Sequence, residues 1–124
     1  MYFVVDKSLV YFVVRKRIDY TFFRMFTHIV LWKLKEAADG RSRDANARLM
    51  KERLEELANM MDGLRCLEVN FDVIRSATSA DVALYSEFDS QAAYQAYADH
   101  PAHKAVAAFV RDVTEERRVV DYES

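Results

Sequence analysis

The hydrophobic rhythm of the chain changes several times, and each change marks an element. FTHIVLWKLK (26–35) is a nearly unbroken run of β-branched and aromatic side chains closed by charges, the pattern of a buried strand. EAADGRSRD follows as a loop. Met50, Leu54, Leu57 and Met61 then recur at spacings of 4, 3 and 4, which places them on one face of a helix running to about Met61. Lys51, Glu52, Arg53, Glu55 and Glu56 occupy the remainder of that helix. Ser42 or Asp44 supplies its N-cap, and Gly63 is its natural C′ stop. A methionine-containing stripe of this kind reads as core rather than as a cofactor box.

The rhythm then drops to two. In RCLEVNFDV (65–73), Leu67, Val69 and Phe71 alternate with Glu68, Asn70 and Asp72, as in a half-buried strand. RSATSA is a turn, and DVALYSEF (81–88) a third strand. Asp89 or Ser90 caps a second helix, QAAYQAYAD. Pro101 opens a further helical run, AHKAVAAFVRDVTEE, with Ala105, Ala108, Phe109 and Val113 expected to face inward. RRVVDYE (117–123) closes the chain as a fourth strand.

The order from Met25 is β-α-β-β-α-β, an α+β, ferredoxin-like arrangement with an antiparallel four-stranded sheet. Helices cover one face of such a sheet and leave the other open. The first strand carries apolar residues at both parities, with Val30, Trp32 and Leu34 set against Ile29 and Leu31. The second face should therefore also be buried, most simply against a copy of itself, which predicts a homodimer.

Composition narrows the function classes. The formal net charge of −2 gives no basic footprint for nucleic acid. The single cysteine, Cys66, excludes an internal disulfide and fits a reducing, cytoplasmic setting as a small core side chain. With two glycines in total there is no glycine-rich phosphate loop. Residues 1–24 stand apart: they carry a net charge of +3, against −5 for residues 25–124. This N-terminal extension is neither a good signal peptide nor long enough in any apolar run to span a membrane. It reads as a short hairpin or added edge strand, or as an over-extended start before a natural first residue at Met25.

HIVLWKLK, DVALYSEFDS, YADHPAHKAV and RRVVDYE, in that order and spacing, resemble the stress-responsive A/B barrel domain (Dabb) family of dimeric α+β barrel proteins. The resemblance covers residues 25–122. It implies a homodimer with a cavity in each subunit between sheet and helices, and an association with stress response. One specialised branch of that family is olivetolic acid cyclase. Three positions here match it: His28 its first-strand histidine, Tyr97 the tyrosine ahead of the HPAH motif, and His103 the second histidine of that motif. The resemblance implies that His103 is the base for an intramolecular aldol condensation of a linear polyketide. A further histidine of the cyclase, on the third strand, is replaced here by an apolar residue at or near Val82, which argues against the same substrate.

The residues themselves leave several roles open. With Pro101 as the first helical residue, His100 becomes the N-cap and His103 lies in the first turn. The partial positive charge there disfavours imidazolium, and a neutral imidazole can take a proton from an acidic C–H without a metal or other cofactor. His28 could position His103 or a substrate carbonyl, and Tyr97 could donate to a developing oxyanion. Equally, His28 and His103 could be a hydrogen-bonded pair sealing the cavity. His100 and His103, with Asp99 nearby, lack a third strong ligand, so no metal is expected. Trp32 and Phe88 are candidate ligand-binding walls of the cavity, or core. Asp89 reads as a helix cap, TEERR (114–118) as a solvated helix end and Tyr122 as a seam residue. Three functions remain: a binder of a small apolar or carbonyl-bearing molecule, a cofactor-free cyclase or lyase, and a structural dimer with a filled cavity. None requires nucleic acid or a membrane.

Overall fold

The computed structural model describes residues 24–124, so the readings made for the N-terminal extension fall, Arg24 aside, outside the described residues. In chain order the elements are β1 (Phe26–Leu34), α1 (Arg43–Glu56), β2 (Leu64–Phe71), β3 (Val82–Phe88), α2 (Gln91–Asp99), α3 (Pro101–Val113) and β4 (Thr114–Glu123). A minimal hairpin, Ala37–Ala38 with Arg41–Ser42, links β1 to α1, and a 3-10 turn, Leu57–Met60, continues α1. The sheet order is β2-β3-β1-β4, with every neighbouring pair antiparallel. This is the ferredoxin-like fold, with three helices on one face of a four-stranded sheet.

Register assigns the side chains to faces. His28, Val30 and Trp32 of β1 pair with Ser86, Leu84 and Val82 of β3 on one side, and with Asp121, Val119 and Arg117 of β4 on the other. Paired residues share a face of the sheet, and this is the helix-covered one. Val30, Leu34, Val69, Val82 and Leu84 bury there against Met50, Leu54 and Leu57 of α1 and its 3-10 extension. The opposite face carries Ile29, Leu31, Val120 and Tyr122, of which Leu31, Val120 and Tyr122 remain exposed.

The helix starts follow their caps. Ser42 Oγ accepts from Ala45 N at 3.2 Å, and Ser90 Oγ accepts from Ala93 N at 3.1 Å. Asp89 does not cap α2; its carboxylate instead pairs with Arg65. Gly63 also differs from expectation. α1 and its 3-10 extension end at Met60, and Gly63 lies beyond them, at φ 81°, in the turn entering β2. A Cβ at that position would come within 2.8 Å of Ala93 Cβ on α2, so glycine is needed for close approach as well as for its positive φ.

Two further expectations are corrected. TEERR is not a helix end. α3 stops at Val113, and Thr114 begins β4 at once, because the strand pairs along the whole of β1 from Leu34↔Thr114 to Phe26↔Glu123. The inward face of α3 is also rotated. Val106, Phe109, Val110 and Val113 pack inward, while Ala105 and Ala108 are exposed. Burying two valines removes more apolar area from water than burying two alanines, and that decides the rotation.

Candidate functional site

Between the sheet and the helices lies a cavity of about 540 Å³ lined by residues of β1, α1, β3, α2, α3 and β4. His28, Trp32, Tyr97 and His103 all line it. Phe88, the other expected wall residue, does not. It is fully buried behind the wall, with its ring 5.1 Å from that of Tyr97 and 5.5 Å from that of Tyr94. A side chain that is already close-packed on all sides offers a ligand no surface, so Phe88 is a support for Tyr97 and a core residue.

The helix break positions His103. His100 takes an extended conformation, as a residue before proline prefers, and its Nδ1 accepts from Ala102 N at 3.0 Å. α2 thus ends and α3 begins at one residue. The end of α2 leaves carbonyls without helical partners. His103 Nδ1–H, one turn into α3, donates to one of them, Ala98 O, at 3.1 Å. That bond fixes the tautomer and leaves Nε2 as the nitrogen with a lone pair. Burial first of all holds the imidazole below the usual histidine range, aided by the charges of His28, Arg117 and His100, while the Ala98 bond opposes the shift.

His28 is set by the β1–β4 register. Its cross-strand partner Asp121 lies on the same face, and His28 Nδ1–H donates to Asp121 Oδ1 at 2.5 Å. Again Nε2 is left with the lone pair. Burial lowers the affinity of His28 for a proton, and the Asp121 carboxylate partly restores it. Both imidazoles are therefore neutral near pH 7. No hydrogen bond joins them among the described residues, so they are two separately held bases on one cavity rather than a sealed pair.

Tyr97 is buried, with its ring 4.5 Å from that of His103, and burial pushes its phenol well above its ordinary range. It is accordingly a donor at neutral pH, and no described group takes its hydroxyl. Tyr94 was not singled out from sequence. Its ring stacks on Phe26 at 4.9 Å and lies 4.7 Å from that of His28, so it buttresses His28 from the side. Asp121 was also missed, since nothing local in RRVVDYE marks it as the partner of a histidine 93 residues away. Among the described residues no group of three or more His, Cys, Asp or Glu is arranged to hold a metal ion.

Comparisons with known proteins agree on the architecture. Residues 26–124 match the family model described as Stress Responsive A/B Barrel Domain. A dimeric protein of unknown function and ferredoxin-like fold from Bacteroides fragilis is 33% identical, with a TM-score of 0.69 over 81% of this chain and 96% of its own. A Dabb family protein with a ferredoxin-like fold from Mesorhizobium loti is 28% identical, with a TM-score of 0.60 over 80% and 95% of the two chains. A hydroxynitrile lyase from Passiflora edulis, 18% identical, has a TM-score of 0.68 over 81% and 93%, a likeness of fold. No curated protein matches the sequence.

Proposed function

The chain belongs to the stress responsive A/B barrel domain family, and on that footing we propose that it is a homodimer whose cavity receives a small, largely apolar molecule bearing a carbonyl group. The carrying observation is the open cavity of about 540 Å³ with two neutral imidazoles and an unengaged tyrosine hydroxyl on its walls. That volume lies within the range of small-molecule sites, about 300–1,000 Å³. Phe88 and Phe109 are not among its lining residues, which counts against a cavity filled by its own aromatics. The homodimer is supported by the dimeric Bacteroides fragilis relative and by the apolar side chains exposed on the sheet's open face. Titrating the protein with 2-octanone while recording NMR spectra tests the binding. Saturable shifts at Val30, Leu84, Tyr97 and Val110, abolished by Ala107→Trp at the cavity wall, are expected. Shifts absent from those residues would overturn it.

The His28–Asp121 bond favours a second reading, a cofactor-free cyclase or lyase. A carboxylate holding an imidazole by Nδ1 fixes its orientation and keeps Nε2 available, an arrangement that a passive wall does not need. In this reading His103 Nε2 takes the proton from a carbon beside a carbonyl. Tyr97 donates a hydrogen bond to the enolate oxygen that forms, and His28 Nε2, an acceptor, orients the substrate by taking a hydrogen bond from an enol hydroxyl. Loss of the base should cost about 10²–10⁴-fold in turnover. A linear β-polyketone turned over by the wild type and by His100→Ala, but not by His103→Ala, is the expected outcome. Equal behaviour of the two variants would refute the assignment of the base.

A further inference from the structure

The cavity has two chemically different ends. One holds His28 and Asp121, which face each other across β1 and β4. Four residues further along β1 comes Trp32, whose cross-strand partner is Arg117. At about 3.3 Å per residue the two ends are roughly 13 Å apart along the strands. Between them lies the apolar pair Val30↔Val119.

The second end is rich in unengaged donors. Arg117 lines the cavity, and among the described residues no carboxylate comes within ion-pair distance of it. Arg111, from the last turn of α3, lines the cavity too, likewise without an ion-pair partner among the described residues. Glu115 is the one acidic residue among the lining groups, so the two guanidiniums outnumber it. Trp32 is 5% exposed, and its buried Nε1–H has no acceptor among the described residues. Arg111 and Arg117 are exposed where they line the cavity, and guanidiniums without a carboxylate partner there favour an incoming anion. Arg117 also bears on the far end, since its charge is one of the influences that lower both imidazoles.

We propose that the ligand is two-ended, with a carboxylate held at Arg117 beside Arg111 and Trp32, and a carbonyl oxygen accepting from the Tyr97 hydroxyl at the end that holds His28 and His103. This inference rests on the cavity being a ligand site and goes beyond it by naming the ligand class, an elongated oxo acid. The planar guanidinium matches a carboxylate with two parallel hydrogen bonds, and the distance between the ends sets the spacing of the two groups. Arg117 is then a specificity-determining residue, and removing it should change which molecules bind without closing the cavity.

The test compares 7-oxooctanoate with its methyl ester, which keeps the ketone and the chain length but lacks the charge. Affinities are read from NMR titrations of the full chain at low ionic strength. The wild type should bind the acid at least fivefold more tightly than the ester. Arg117→Leu should abolish that preference while leaving ester affinity within twofold, and Arg117→Lys should keep part of it. Added salt should weaken the acid alone. Equal binding of acid and ester by the wild type, or a preference that survives in Arg117→Leu, overturns the proposal while the cavity remains a ligand site. Failure of both compounds to bind the wild type removes the ligand site itself, and this inference with it.

Discussion

His28 and His103 are kept neutral by the same cause, burial, yet they lean on different partners, a carboxylate and a carbonyl. The difference is measurable. Asp121 raises the affinity of His28 for a proton, so Asp121→Asn should lower the titration midpoint of His28 further and leave that of His103 in place. Imidazole NMR titrations check both, and an upward move of His28 would contradict the assignment. Stability should carry the same signature. Both groups titrate in the fold below their ordinary value of 6.5, so the unfolded chain takes up protons first as pH falls. Their contribution is complete above about pH 6.5 and declines as pH drops through the lower, folded values. His103→Gln should flatten that decline in the denaturation midpoint between pH 7 and pH 5, with little change at pH 8.

Helices and strands are held at their ends by single groups, and those groups can be removed separately. His100→Ala deletes the N-cap of α3 and should cost about 1 kcal/mol in denaturant unfolding, with the cavity residues unperturbed. Gly63→Ala should cost about 1–3 kcal/mol, because the new methyl meets Ala93 on α2 and the backbone holds a positive φ. A cost below 0.5 kcal/mol would show that α2 can draw back. These elements were largely legible in the chain. The run from Phe26 to Leu34, the stripe of Met50, Leu54 and Leu57, and the caps at Ser42, Ser90 and His100 are local patterns, and local patterns survive folding. What failed was not local. The charged stretch at 114–118 looks like a solvated helix end because it lies on an edge strand that is exposed at every residue after Thr114 and so buries almost nothing there. The rotation of α3 depended on whether Val106 and Val110 or the neighbouring alanines met the sheet. Asp121 could not be found without the β1–β4 register, and Phe88 sits one layer behind the wall it was expected to form.

The molecule as a whole presents one covered sheet face and one that carries exposed Leu31, Val120 and Tyr122. If two copies associate through that face, Val120→Glu should shift sedimentation from dimer to monomer at micromolar concentration while the denaturation profile stays cooperative. A wild type that sediments as a monomer would remove the homodimer. The junction between α3 and β4 has a different kind of consequence. Helix passes to strand from Val113 to Thr114 with no connecting residue, and Thr114 Oγ1 ties the joint back to Val110 O at 2.9 Å. Side chains along β4 alternate between faces beyond the irregularity at Glu115, so one residue inserted at that joint and not taken up there would exchange the two sets. Arg117 and Asp121 would turn away from the cavity, and Arg118 and Tyr122 would leave the open face. The register already shifts once beside the joint, where Lys33↔Glu116 is followed by Leu34↔Thr114 and Glu115 is left as an extra residue; the length of that short stretch is what decides whether Arg117 and Asp121 or their neighbours reach the cavity.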